Sequence, residues 1–322
     1  MSKSRLWLSG LLLLQILLAT GIFISTRSAQ SGYEARPLLA FDPAAVNKIT
    51  VSSSDDEVTL LKNHGGWSLP GLKGLPANAG KLQAALEKLA GLQSTWPVTT
   101  TAGSHERFEV AADKFQRRLR LYQHDKLAGE LFLGTSPGFR KVHVRPSGDN
   151  NVYAVAINTY DFPAREQDWL DKELLAVKDV AAISGPDYAL IKKDRQWQFE
   201  DTQKPDENSE LDAGKAGQLG EALASLRVTG VADKAPEFTA ENTVTLDVTG
   251  QAAGKEKWQF QLLKKDNQYY VKRNDREQVF TLSQYDYDHL AGVKMADLKV
   301  AKKQHLQEDA VKPVVSNAVE GG

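Results

Sequence analysis

The sequence predicts an α+β fold: tandem duplicated domains, each an antiparallel sheet with one helix, behind an N-terminal transmembrane helix. Three observations carry this. An uncharged apolar run opens the chain, period-2 alternation recurs along most of the rest, and one order of elements is written twice, in register at Trp67 and Trp197. The chain has 322 residues, a formal net charge of −1, 25% charged and 41% hydrophobic residues, and no cysteine. At ~100–200 residues per domain, that length suits two domains with sizeable cores. The composition excludes disorder, collagen and coiled coil for most of the chain. The absence of cysteine excludes disulfides, thiolate nucleophiles, Cys-based zinc sites, iron–sulfur clusters and a lipoprotein anchor. Near-neutral charge gives no electrostatic case for nucleic acid.

From Leu6 to Thr26 no residue is charged, and the run reads Leu11-Leu-Leu-Leu-Gln-Ile-Leu-Leu-Ala19 and then Gly21-Ile-Phe-Ile24. About twenty residues at ~1.5 Å each give about 30 Å, the thickness of a hydrocarbon core. A cleaved signal has an apolar region of only ~7–15 residues and ends in small residues. Here the run is longer, and Arg27-Ser28-Ala29 puts an arginine where a small residue is needed. Residues 1–27 therefore read as a cytoplasmic tip and single-pass anchor, with Lys3 and Arg5 on the inner side and the bulk of the chain across the membrane. Gly10, Gln15, Thr20 and Gly21 are the small and polar residues able to serve helix–helix contact within lipid.

After a linker at 28–45, a first repeat occupies 46–176. It opens with the alternating strand Val46-Asn-Lys-Ile-Thr-Val-Ser52, then Val58-Thr-Leu-Leu61 and Gly66-Trp67-Ser-Leu69. Asn78-Ala-Gly-Lys81 caps a helix over 79–92, with Leu82, Ala85, Leu89 and Leu92 on one face. Leu119-Arg-Leu121, Leu131-Phe-Leu-Gly134, Val142-His-Val144 and Val152-Tyr-Ala-Val155 alternate as antiparallel strands do. The second repeat, 177–300, follows the same order. It runs through Val177-Lys-Asp-Val180, Ala189-Leu-Ile191, Gln196-Trp197-Gln-Phe199, an Asp212-Ala-Gly-Lys215 cap and a helix over 213–227. Four strands follow around Val244–Val248, Trp258–Leu262, Tyr270–Val271 and Val279–Leu282. Both close on Tyr-Asp-aromatic, at Tyr160-Asp161-Phe162 and Tyr285-Asp286-Tyr287. Trp67 and Trp197 are expected as equivalent core anchors, and 301–322 as a flexible tail.

The order Gly66-Trp67, Asn78-Ala-Gly-Lys81, Arg107-Phe-Glu-Val110, Leu131-Phe-Leu-Gly134, Val142-His-Val-Arg145, Val152-Tyr-Ala-Val155 and Asp168-Trp-Leu-Asp-Lys-Glu-Leu174 resembles the bacterial domain-of-unknown-function family numbered 4340, here in tandem. Arg107-Phe-Glu-Val110 stands where that family tends to have Tyr-Gly-Leu. The family has no established catalytic residues. The resemblance implies a bacterial inner-membrane protein, periplasmic in bulk, accessory to ABC exporters such as gliding-motility transporters. Its partners would be an ABC transporter permease with its ATPase, and inner-membrane lipid.

The residues supply no catalytic constellation and imply no cofactor or metal. Gly74-Leu-Pro-Ala-Asn-Ala-Gly80-Lys81-Leu82 has one residue too many between its glycines for a phosphate loop, and Leu82 lacks the hydroxyl that reaches magnesium. The six histidines are scattered, and Asp286-Tyr-Asp288-His289 reads as a turn cap. One patch is a candidate contact face. Arg118, Arg120 and Tyr122 share one face of their strand, and Lys141, His143 and Arg145 share one face of theirs, so neighbouring strands would carry a basic outer surface for phosphate head groups or an acidic partner. Lys264-Lys265 and Lys272-Arg273 stand at similar places in the second repeat. Three readings stay open: a non-catalytic exporter accessory subunit, a stand-alone envelope binding module for a lipid, glycan or peptide, and an enzyme with dispersed residues.

Overall fold

The computed structural model describes residues 3–31, 35–201, 206, 208–251 and 256–302. The chain divides into two units, Met1–Leu174 and Leu175–Gly322, and the architecture is mixed α+β with antiparallel sheets. The uncharged run lies in helix α1, Lys3–Ser31. Leu12, Leu14, Leu17, Leu18 and Ile22 along it are more than half exposed. Among the described residues no helix is long and apolar enough to cross a membrane. The helix reaches Ser31 and so takes up the start of the expected 28–45 linker. The described remainder of that stretch is packed: Pro37 bridges to Gln93, Leu39 is buried over Gly129, and Asp42 caps a short 3-10 turn, Pro43–Ala45.

In the first unit, strands β1 (Lys48–Ser52), β2 (Glu57–Asn63), β3 (Gly66–Leu69) and β4 (Leu75–Pro76) precede helix α2 (Ala79–Ala90). Strands β5 (Arg117–Gln123), β6 (Lys126–Leu133), β7 (Val142–Pro146) and β8 (Tyr153–Val155) follow it. They form one antiparallel sheet in the order β4-β3-β2-β1-β5-β6-β7-β8. The β5–β6 hairpin turns on His124 and Asp125, both at positive φ (49° and 63°), the handedness that matches the twist of the flanking strands. The Asn78 side chain accepts the Lys81 backbone N–H at 2.8 Å and starts α2, whose Leu82, Ala85, Leu86 and Leu89 are buried.

In the second unit, β9 (Val180–Ser184), β10 (Ala189–Lys193), β11 (Gln196–Phe199) and β12 (Ser209–Leu211) precede helix α3 (Ala213–Ala224). After it come β13 (Val228–Val231), β14 (Thr243–Gly250), β15 (Lys257–Lys265), β16 (Gln268–Arg273), β17 (Val279–Leu282), helix α4 (Gln284–Ala291) and β18 (Lys299–Ala301). The large sheet runs β11-β10-β9-β14-β15-β16-β17-β13, and β12 pairs with β18. Asp212 accepts the Gly214 and Lys215 N–H groups to start α3, and the Ser283 hydroxyl accepts the Asp286 N–H to start α4. The Tyr285-Asp286-Tyr287 element is thus a helix start, and the expected tail begins as the last residue of a paired strand. Residues 303–322 of that tail lie outside the described residues.

Trp67 and Trp197 stand in β3 and β11, facing Lys62 and Lys192 of the adjacent strand, but both are half-buried and neither anchors a core. The tryptophan that does so in the first unit is Trp169, 1% exposed, with its Nε1–H donated to the Pro163 carbonyl at 2.7 Å. Both were expected as core anchors; β11 is an edge strand, and β3 is flanked on its outer side only by the two-residue β4, which leaves each ring partly open.

Candidate functional site

The basic face is built as the alternation requires and then divided by packing. On β5, Leu119 and Leu121 are buried while Arg118, Arg120 and Tyr122 take the other face. Arg118 meets Glu130 of β6 at 2.6 Å, Arg120 meets Glu57 at 3.0 Å, and Lys48 stands 4.5 Å from the Tyr122 ring centre. Burial pushes the Glu130 carboxyl up, but hydrogen bonds from Ser147 and Arg118 and the charges of Arg118 and Arg120 outweigh it and hold the group below its ordinary range.

β7 is two strands away, with β6 between, and its residues are not on an open surface. Lys141, just before it, is exposed, whereas His143 and Arg145 are each only 7% exposed, so the expected six-residue outer face is corrected here. The cause is the segment 105–116, which crosses this face and packs Phe108, Val110 and Phe115 with Phe132 and Val152. The His143 ring lies 4.6 Å from Phe108 and its Nδ1 is 2.9 Å from the Thr135 hydroxyl; burial pushes its pKa below the ordinary histidine value. Arg145 donates Nε–H to the Val110 carbonyl at 2.7 Å and Nη1–H to the Asp149 carbonyl at 3.2 Å, over the Phe132 ring. Burial lowers its pKa as well. Arg273 of β16 is buried in the same register. It sits opposite Phe260 as Arg145 sits opposite Phe132, and is held by Asp275 at 2.6 Å and the Leu175 carbonyl at 2.8 Å.

Each unit also has a cleft at the first turn of its main helix. The first-unit cleft, about 490 Å³, is lined by Lys81 of α2, Arg117 at the start of β5, and Tyr160, Arg165 and Asp168 of the segment after β8. Lys81 donates Nζ–H to the Asp168 carbonyl at 2.8 Å and lies 4.8 Å over the Trp169 ring. Burial lowers its pKa, against the opposing pull of the Asp168 and Asp161 charges. Arg117 donates to the carbonyls of Phe162 and Gln116, and Arg165 pairs with Asp168 at 3.2 Å. The second-unit cleft, about 330 Å³, is lined by Lys215 and Gln218 of α3, Asp288 and His289 of α4, and Asp297. The Asn78 N–H meets the Trp169 carbonyl, and the Asp212 N–H meets that of Leu298. Among the described residues no group of three or more His, Asp or Glu is placed to hold a metal ion.

A family model described as Domain of unknown function (DUF4340) matches residues 67–247 in one continuous range. The chain belongs to this family. No curated protein and no solved structure matches it. The DUF4340 match begins in β3, takes in Gly134 and Trp169, and ends in β14. Among residues that carry the family resemblance, Trp169 and Gly134 have explicit structural reasons: one fills the first unit's core, and the other lets segment 105–116 approach. In the sequence Lys81 stands in a helix entry and in a rejected phosphate-loop match, and no motif marks Arg117 or Arg165. The recurrence of Ala-Gly-Lys at both helix starts was the one signal that pointed to a repeated feature there.

Proposed function

We propose that this DUF4340 chain is a single-pass, membrane-anchored accessory protein of the bacterial inner membrane. In this reading its N-terminus is cytoplasmic, its two units are periplasmic, and it acts by contact and not by catalysis. The partner is the permease, with its ATPase, of an ABC-type exporter. The observation that carries the reading is the apolar surface of α1. Leucine and isoleucine side chains exposed from Leu11 to Ile24 are costly in water, at about 25 cal/mol per Å² of apolar surface, and call for cover by lipid or neighbouring helices. Gly10–Ile24 alone is shorter than the ~20 residues of a span; the uncharged sequence Leu6–Thr26 supplies the length. The Thr20 hydroxyl donates to the Ile16 carbonyl at 2.7 Å, the arrangement that lets a polar side chain sit in lipid. Gly10 and Gly21 lie three turns apart on one side of the helix with nothing within 4 Å of a Cβ at either, which leaves room for a second helix.

The two units are read as copies of one fold. The shared strand order on either side of the central β1–β5 and β9–β14 pairs supports this, as do the matched Lys–Trp and Phe–Arg registers and the matched helix caps. An experimental structure in which β1–β8 and β9–β17 fail to superpose would reject it.

The test is affinity purification of the full-length protein from detergent-solubilised membranes. A co-purifying permease and ATPase support the proposal. Migration alone, together with a phenotype unchanged by deleting an adjacent transporter, favours instead the stand-alone binding module, for which the first-unit cleft is the supporting observation. A mature amino terminus between Gly21 and Ser31 would overturn the anchor, and a C-terminal region protected from protease in spheroplasts would overturn the orientation.

A further inference from the structure

We propose that the first-unit cleft binds a compact oxyanion, the phosphate or carboxylate group of a small ligand, through Lys81, Arg117 and Arg165. The inference is independent of the exporter reading. Three cations reach one cavity of about 490 Å³ from three separate elements: the first turn of α2, the first residue of β5, and the segment after β8. Lys81 and Arg117 are half-buried, and among the described residues neither pairs with a carboxylate. Lys81 has the Asp168 carbonyl, and Arg117 has the carbonyls of Phe162 and Gln116. The contrast lies on the same strand, where Arg118 and Arg120 each meet a glutamate. Lys88, two turns along α2 from Lys81, likewise meets Asp161 at 2.8 Å.

A carbonyl dipole only partly offsets the cost of taking a cation from water, so a half-buried cation without a counter-charge gains from an anion placed beside it. Two carboxylates also line the cavity, but Asp168 is engaged by Arg165 and Asp56 is exposed, and three cations against two carboxylates leave the wall positive. The exposed Tyr160 hydroxyl stands at the same wall and adds a donor. The lowered pKa of Lys81 agrees, since burial there outweighs the two aspartate charges within reach. In the second unit, Lys215 shares its cleft with Asp288 and Asp297, and no arginine lines it, so the inference is confined to the first unit.

The test is titration calorimetry of the full-length protein in mild detergent with sodium phosphate and, separately, sodium acetate, each against sodium chloride at matched ionic strength. Saturable heat with either anion is expected and identifies the preferred group. Lys81→Gln, Arg117→Gln and Arg165→Gln should each weaken binding at least tenfold, while Lys88→Gln, whose partner is Asp161, leaves it unchanged. Lys81→Gln and Arg117→Gln lose bonds to backbone carbonyls and can misfold. Arg165→Gln, with its side chain 71% exposed, is then decisive. No saturable heat with either anion, wild-type affinity in folded Arg165→Gln, or an equal loss in Lys88→Gln each overturns the proposal.

Discussion

Gly134→Ala should destabilise the first unit far more than a single methyl group suggests. Gly134 follows β6, where the segment 105–116 crosses the sheet. A Cβ there would overlap the Phe108 carbonyl oxygen and lie 2.5 Å from the Glu109 carbonyl oxygen. Ordinary contacts need ~3.5 Å, so backbone must move by more than about 1 Å. Backbone cannot rotate out of the way as a side-chain tip can. The shift strains the Thr135 N–H to Phe108 carbonyl bond, 2.9 Å, and lifts the Val110 carbonyl from Arg145 Nε, 2.7 Å. A neutral bond contributes about 1 kcal/mol net, one to a charged group about 1.5–3 kcal/mol, and overpacking costs about 1–3 kcal/mol. With partial relaxation the expected loss is about 3–4 kcal/mol, or roughly 10 °C in the melting of this unit. Hydrogen exchange followed by mass spectrometry, on the full chain in detergent, localises the effect. Peptides covering 105–116 and β7 should lose protection while those covering β14–β17 keep theirs. A variant within about 0.5 kcal/mol of wild type, with 105–116 equally protected, would refute the reasoning.

His143 should make first-unit stability depend on pH. Its native pKa lies below the ordinary 6.5, so as pH falls through that value the unfolded chain takes up the proton first, and stability drops until the native pKa is passed. Denaturant melts between pH 8 and 5 should show that slope, and His143→Gln should flatten it. Arg273→Met should cost roughly 2–4 kcal/mol, because it strips the Leu175 carbonyl of a donor and takes from Asp275 its closest cation, leaving it Arg276 at 3.4 Å. It should also reduce the acid sensitivity of Asp275. Burial pushes that carboxyl up, but the Arg273 bonds and the neighbouring charges hold it below its ordinary value. Its contribution is therefore present above the ordinary carboxylate pKa and lost as pH falls through the lowered one. Gly220→Ala should displace the Trp197 ring, whose Cζ2 would stand 2.9 Å from the new Cβ, and give about 1–2 kcal/mol of destabilisation with a shift in tryptophan emission.

By itself the sequence determined the parts of this protein that rest on short-range geometry. Asn78 and Asp212 start their helices because a side-chain oxygen reaches a backbone N–H only two or three residues ahead. The apolar positions of α2 and the alternation of β5 follow from the 3.6 and 2.0 periods, and those periods say which side of an element faces a core. They do not say what lies over the other side. The tertiary structure decided that. Segment 105–116 has no period, so nothing in its residues announced that Phe108 and Val110 would cover His143 and Arg145. Trp169 lies in an irregular stretch, and its burial depends on the Pro163 carbonyl and on Lys81 of a helix far back in the chain. The first-unit cleft is made the same way, with Lys81, Arg117 and Arg165 coming from three separated segments. Spacing along a chain reports neighbours one or two turns away. A site assembled by chain crossing leaves no such spacing, and only the folded backbone brings its charges together.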